Sequence, residues 1–271
     1  MKFAILLVMV LNLAATAAEV QKDIVFTTAA GGETLKLDVH VPDGPGPFPA
    51  AILVHGGGWT GGSKQQFITY IFEPLSKANY VWFSIDYRLA PLHKWPACVE
   101  DVETAMQWIF ANAAKYKADT SRVALIGESA GGHLAAYAAL KTRQKLKAVV
   151  IFYGVHDFIA RAFQYGRIDA SINSLFGIGS LNSDTAVVLR EASPYTHVRG
   201  GLPPFLMIHG IADMAVPYAQ SVDMCSKLRG KGNACELYTV NGPHGMDRWE
   251  MDPTLLGYKS KLVDWLNKTV K

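Results

Sequence analysis

The stretch RVALIGESAGGHLAAYAAL, Arg122 to Leu140, decides how the chain is read. Val123 to Ile126 is a short apolar run of the kind made by a strand covered on both faces, and His133 to Lys141 fits a helix. Between them, GESAGG sets one serine, Ser129, among glycines. Glycine weakens strands and helices alike, so its density here marks a tight turn that only small residues can make. A G-x-S-x-G turn between strand and helix is the form of a nucleophile elbow, which lifts the serine hydroxyl above a sheet and beside the positive end of the next helix. A bare match arises by chance. Here the strand, turn and helix are in place, and HGGGW, His55 to Trp59, lies upstream.

Working outward, Asp23 to Thr28 and Thr34 to Val41 alternate apolar and polar residues, which predicts half-buried antiparallel strands. Ala50 to Val54, Tyr80 to Ile85, Ala148 to Tyr153, Phe205 to Ile208 and Leu237 to Val240 are further apolar runs bounded by Gly, Asp or Pro. Helical spacing covers Ala97 to Lys115, Tyr218 to Arg229 and Leu255 to Lys268. Strands alternating with helices predict an α/β fold, a mainly parallel sheet with helices on both faces. Ligands bind such sheets beyond the carboxyl ends of the strands. Those ends deliver Gly127-Glu128-Ser129, then Gly154-Val155-His156-Asp157, His209-Gly210-Ile211-Ala212-Asp213 and Asn241-Gly242-Pro243-His244-Gly245. Serine, acid and histidine reach one rim in that order.

The 271 residues, half of them hydrophobic, suit one large domain. Lys plus Arg (26) nearly balances Asp plus Glu (23), and no basic stripe stands out, which argues against nucleic acid as a partner. The opening MKFAILLVMVLNLAATAAEV carries Lys2, an apolar stretch from Phe3 to Leu13, then small residues to Ala18. That order predicts a signal peptide over residues 1–18, one domain over 19–271, and a secreted or periplasmic protein without stable membrane insertion. Three cysteines are available: Cys98, Cys225 and Cys235. Cys225 and Cys235 are close enough in sequence to pair across a turn or to remain buried thiols, and both readings stand. No Cys, His and carboxylate cluster has metal spacing, so no cofactor is expected.

HGGGW, SIDYRLAP, GESAGG, HGIADMAVP and PHG resemble the blocks of the α/β-hydrolase superfamily, over nearly the whole chain after residue 18. They are similar to hormone-sensitive-lipase-like esterases and to acetyl and feruloyl esterases of plant cell-wall polysaccharide. The resemblance implies an α/β-hydrolase fold with a small cap inserted at about 155–202, where Phe158, Phe163, Tyr165, Phe176 and Tyr195 fall. It implies oxyanion donors at the amides of Gly57, Gly58 and Ala130, with the Trp59 amide able to replace one of them.

Serine is a poor nucleophile unless a base takes its proton, and a neutral imidazole suits that task. His244, in a Gly- and Pro-flanked loop after the last strand, is the expected base. Asp213 is the expected acid, since a short loop lets it reach the back of the imidazole; Asp157, at the end of the preceding strand, is the alternative. His209 is expected to shape the turn before Asp213, Glu128 to form an ion pair with Arg88, and His55 and His133 to bond locally. Trp59 and the cap aromatics are expected to stack on a sugar or phenolic ring. The function expected is a secreted serine carboxylester hydrolase acting on a small ester or an acylated polysaccharide, removing acetyl or feruloyl groups from plant polysaccharide. A general short-chain carboxylesterase, a serine peptidase of the same fold and an inactive binding module are the alternatives. The sequence leaves the oligomeric state open.

Overall fold

The computed structural model describes residues 20–271. The expected signal peptide therefore lies outside the described residues. Among the described residues eight strands form one sheet: β1 (Val20–Thr28), β2 (Thr34–His40), β3 (Phe48–Val54), β4 (Val81–Ile85), β5 (Ala118–Glu128), β6 (Ala148–Phe152), β7 (Phe205–Gly210) and β8 (Cys235–Val240). Their spatial order is β1-β2-β4-β3-β5-β6-β7-β8. β1 and β2 are antiparallel, β2 meets β4 antiparallel, and every later pairing is parallel.

The parallel strands read as unbroken apolar runs because both of their faces are covered. Along β3, Ala50, Ile52 and Val54 join one core with Val102, Leu134 and Met224, while Ala51 and Leu53 join the other with Leu75, Leu262 and Trp265. The helices supplying these contacts are α1 (Phe72–Lys77), α2 (Ala97–Asn112), α3 (Ala130–Lys141), α7 (Ala219–Gly230) and α9 (Gly257–Thr269). A fully buried leucine such as Leu134 contributes about 1.5–3 kcal/mol over its exposed state. Between β6 and β7 the chain forms α4 (Phe158–Tyr165), α5 (Ala170–Phe176) and α6 (Ser183–Ala192), and α8 (Met246–Trp249) follows β8.

One strand boundary differs from expectation, and one open pairing closes. β5 begins at Ala118 rather than Val123, since its first turn of strand is polar and pairs Phe48 with Ala118 at the sheet's end. Cys225 on α7 and Cys235 on β8 form a disulfide, and Cys98 is a buried free thiol.

Candidate active site

Ser129 stands between β5 and α3 with φ 52° and ψ −118°, outside the regions L-residues favour. Its amide donates to Phe152 O at 2.9 Å, which fixes the turn to β6. Gly131 explains why the turn needs glycine. A Cβ there would lie 2.2 Å from His55 O and 2.3 Å from Val54 O, so α3 can press against the end of β3 only without a side chain. That close approach brings the HGGGW loop beside Ser129. The helix starts at Ala130, earlier than the predicted His133.

Ser129 Oγ lies 3.0 Å from His244 Nε2, and His244 Nδ1 lies 2.6 Å from Asp213 Oδ2. The histidine loop is braced twice. Trp249 Nε1 donates to Pro243 O at 2.7 Å, and the Met246 amide donates to Tyr153 Oη at 2.9 Å. Asp213 has no side-chain exposure. Burial pushes its carboxyl up, but the imidazoles of His209 and His244 and the Val216 amide outweigh this and hold it well below the usual carboxylate range. Oδ1 accepts from the Ala215 and Val216 amides at 2.8 Å each, leaving Oδ2 for His244. His209 supports the same turn: its Nε2 lies 3.0 Å from Val216 O and 3.3 Å from Asp213 Oδ2. Asp157 is elsewhere, capping α4 through its Oδ1, which accepts from Ile159 and Ala160.

The oxyanion candidates form the facing wall. Gly57 has φ +105°, and a Cβ there would meet Gly61 O at 2.1 Å, so the loop closes only around glycine. The amides of Gly57, Gly58, Trp59 and Ala130 donate to no acceptor among the described residues. Tyr87 Oη holds the loop from behind by donating to His55 O at 3.0 Å. Burial pushes His55 and His133 down to about 4, so both are neutral at neutral pH.

Glu128 corrects an expectation. It makes no ion pair with Arg88, whose guanidinium is taken by Asp101. Its Oε1 accepts from the Gly56 amide at 3.0 Å and its Oε2 from Tyr153 Oη at 2.6 Å. Burial pushes it up to about 7, against the lowering effect of the Tyr153 hydroxyl. Glu128 thus ties the glycine loop to Tyr153, and Tyr153 to the histidine loop. His133 is also less local than expected. Its Nδ1 accepts from Trp59 Nε1 at 3.1 Å and its Nε2 lies 2.9 Å from Ala192 O.

Ser129, His244, Gly57, Gly58 and Ala130 share a cavity of about 370 Å³. Trp59 borders it, but the residue is 2% exposed and its indole is bonded into the core, which leaves no face for a sugar. Phe158 is wholly buried against Trp59, His133 and Phe176, and Phe163 points to solvent at 72% exposure. None of the five expected cap aromatics lines the cavity. From α4 and α5 it receives Arg161 and Ser171 instead, and Phe67 stands at its edge. No motif marks these three in the sequence.

A donor, an imidazole and a carboxylate in line can move a proton off a serine hydroxyl, and free amides opposite can receive a negative oxygen. The BD-FAE family model matches residues 37–228. Esterase LipC of Mycobacterium tuberculosis is 32% identical over 216 residues, 74% of this chain and 54% of that protein. The chain spans about half the length of the curated relatives it matches. Among solved structures, a truncated carbohydrate esterase from gut microbiota superposes with TM-score 0.81 at 23% identity, covering 95% of this chain and 98% of that one, a likeness of fold. Esterase Est2 of Thermogutta terrifontis, also solved with propionate and with butyrate bound, is 26% identical with TM-score 0.72, covering 92% of this chain and 90% of that one. Matched by one family model over well more than half its length, and carrying the GESAGG elbow and HGGGW loop within that span, the chain belongs to the BD-FAE family.

Proposed function

We infer that the chain is a secreted serine carboxylester hydrolase that removes acetyl or feruloyl groups from plant polysaccharide. The observation that carries this reading is the continuous hydrogen-bonded line Ser129–His244–Asp213 opening on one cavity with the glycine-loop amides. In this reading His244 Nε2 takes the Ser129 proton as Oγ attacks the ester carbonyl carbon. Asp213 accepts from Nδ1–H and stabilises the imidazolium that forms. The tetrahedral oxyanion accepts hydrogen bonds from the amides of Gly57, Gly58 and Ala130. Collapse returns the proton to the departing alkoxide and leaves an acyl-serine, which water, activated by the same imidazole, then hydrolyses. The helices at 158–192 act as a small cap.

A cavity of about 370 Å³ is at the small end of ligand pockets, which supports short acyl chains. The propionate and butyrate held by Est2 support the second reading, a general short-chain carboxylesterase. Ser129→Ala or His244→Ala should each lower turnover by roughly three to six orders of magnitude with the fold intact by circular dichroism. A panel of 4-nitrophenyl esters, acetylated xylan and methyl ferulate separates the readings. Preference for acyl chains of about two to four carbons together with release from xylan or ferulate is expected. Hydrolysis of the small esters alone selects the general carboxylesterase, and near-normal turnover by intact Ser129→Ala protein overturns the mechanism.

A further inference from the structure

The segment between β6 and β7 brings one buried cation to the cavity, and its bonding is incomplete. Arg161 is 8% exposed yet lines the same space as Ser129, Gly58 and Ala130. Its Nε donates to Asp169 Oδ2 at 2.8 Å. That is the only hydrogen bond of the guanidinium among the described residues, and Nη1 is buried without a partner. Asp169 is also committed elsewhere. Its Oδ1 already accepts from the Ser171 amide, the Ser171 hydroxyl and the Ile172 amide. The guanidinium is held in place from the side as well, with Cζ 5.4 Å from the centre of the Tyr165 ring. Ser171, fixed by Asp169, abuts the oxyanion loop: a Cβ on Gly58 would sit 3.6 Å from Ser171 Cβ.

A buried guanidinium with most of its donors idle is costly unless something completes them. Asp169 uses Nε alone; Nη1 is enclosed, while Nη2, also without a partner, is not, and so remains for a ligand in the cavity. A cationic N–H donor in a cavity is matched by a negatively charged oxygen, as of a carboxylate. We propose that Arg161 binds a carboxylate carried by the substrate, so that an ester bearing a carboxylate is preferred to a neutral ester of the same size. This rests on the esterase reading of Ser129 and names the substrate class of that site. The carboxylate comes either with the acyl group, as in the half-ester of a dicarboxylic acid, or with the alcohol, as in an acetylated uronic acid.

The test compares matched pairs at pH 7.5 by acid release: monomethyl succinate against methyl butyrate for the acyl arm, and acetylated methyl glucuronide against acetylated methyl glucoside for the alcohol arm. In one arm kcat/KM for the charged ester should exceed that for its neutral partner by about tenfold or more, mainly through KM. The ratio should fall to near one in Arg161→Gln and recover in part in Arg161→Lys. The wild-type ratios need no variant, so a poorly folded substitution does not blunt the test. Ratios at or below one in both arms, or a ratio kept by folded Arg161→Gln, overturn the proposal. Calorimetric titration of the Ser129→Ala variant with the same four esters reads the same preference without turnover. Tighter binding of the charged ester in one pair supports the role of Arg161 even if hydrolysis fails, and equal binding within both pairs counts against it.

Discussion

Replacing Glu128 by glutamine removes a titratable group that the fold keeps buried beneath the nucleophile, and its effect on stability should change sign with pH. Burial raises the folded pKa of Glu128 to about 7, against an ordinary value of 4.5. Between those values the folded protein keeps a proton that the unfolded chain has lost. The contribution to stability is therefore whole below about pH 4.5, declines as pH rises, and is spent above about 7. The span corresponds to about 3 kcal/mol. Glutamine has no proton to lose, so Glu128→Gln removes this slope.

The substitution also has a fixed cost. Its amide oxygen can keep the Gly56 amide, but its nitrogen then faces Tyr153 Oη, which already accepts from the Met246 amide. The tyrosine hydroxyl is left without the acceptor it had in Glu128 Oε2, a loss of about 1–2 kcal/mol. Below about pH 4.5 the variant should be the less stable protein by that amount. Above about pH 7 it should be the more stable one by a similar amount, because the larger pH-dependent term has been removed. Urea unfolding followed by tryptophan fluorescence from pH 4.5 to 8, at constant ionic strength, measures the difference. A gap between the two proteins that stays constant across that range would refute the reasoning and mean that folding does not change the protonation of Glu128.

The acid of the relay is separable from its alternative. Asp213→Asn should lower turnover by about 10⁴ by disturbing the imidazole's tautomer and orientation, whereas Asp157→Ala should change turnover little and cost about 1 kcal/mol through the lost α4 cap; steady-state kinetics paired with urea unfolding reads both, and the reverse ranking moves the acid to Asp157. Joint replacement of Cys225 and Cys235 by alanine should cost about 2–3 kcal/mol, because the short loop they close is no longer restrained in the unfolded chain; an unchanged unfolding midpoint contradicts that.

What the sequence made legible follows from what covers each residue. β3, β5, β6 and β7 were readable as buried strands because both faces are filled, and the rim order of Ser129, Asp213 and His244 followed from strand ends alone. The polar start of β5, Asp119 to Arg122, hid from the same rule because hydrogen bonding rather than burial makes it strand. Helix α3 looked shorter than it is because Gly131 and Gly132 argue against helix by propensity, while here Gly131 lets the helix approach the end of β3 and Gly132 the end of β6. Trp59 was misjudged because an aromatic in a loop has no sequence mark for which side it turns to, and its indole found a partner 74 residues away in His133.

The same limit applies to the charged groups, and it separates the two kinds of residue around this cavity. Ser129, His244 and the glycines are constrained by backbone geometry, which leaves a local pattern. Glu128 and Arg161 are constrained by partners: Glu128 by Gly56 and Tyr153, and Arg161 by Asp169, which caps the next helix. Only when chain segments 72, 25 and 8 residues apart are brought together does either environment exist. Residues of the first kind carry the chemistry in the reading given above and can be recognised wherever the elbow recurs. Residues of the second kind set what the cavity accepts, and because no local pattern obliges them, they are free to differ between chains that share the elbow. It follows that substrate choice in this protein is to be sought in the helices between β6 and β7, where Arg161 and Ser171 reach the cavity, more than in the motifs that identify the fold.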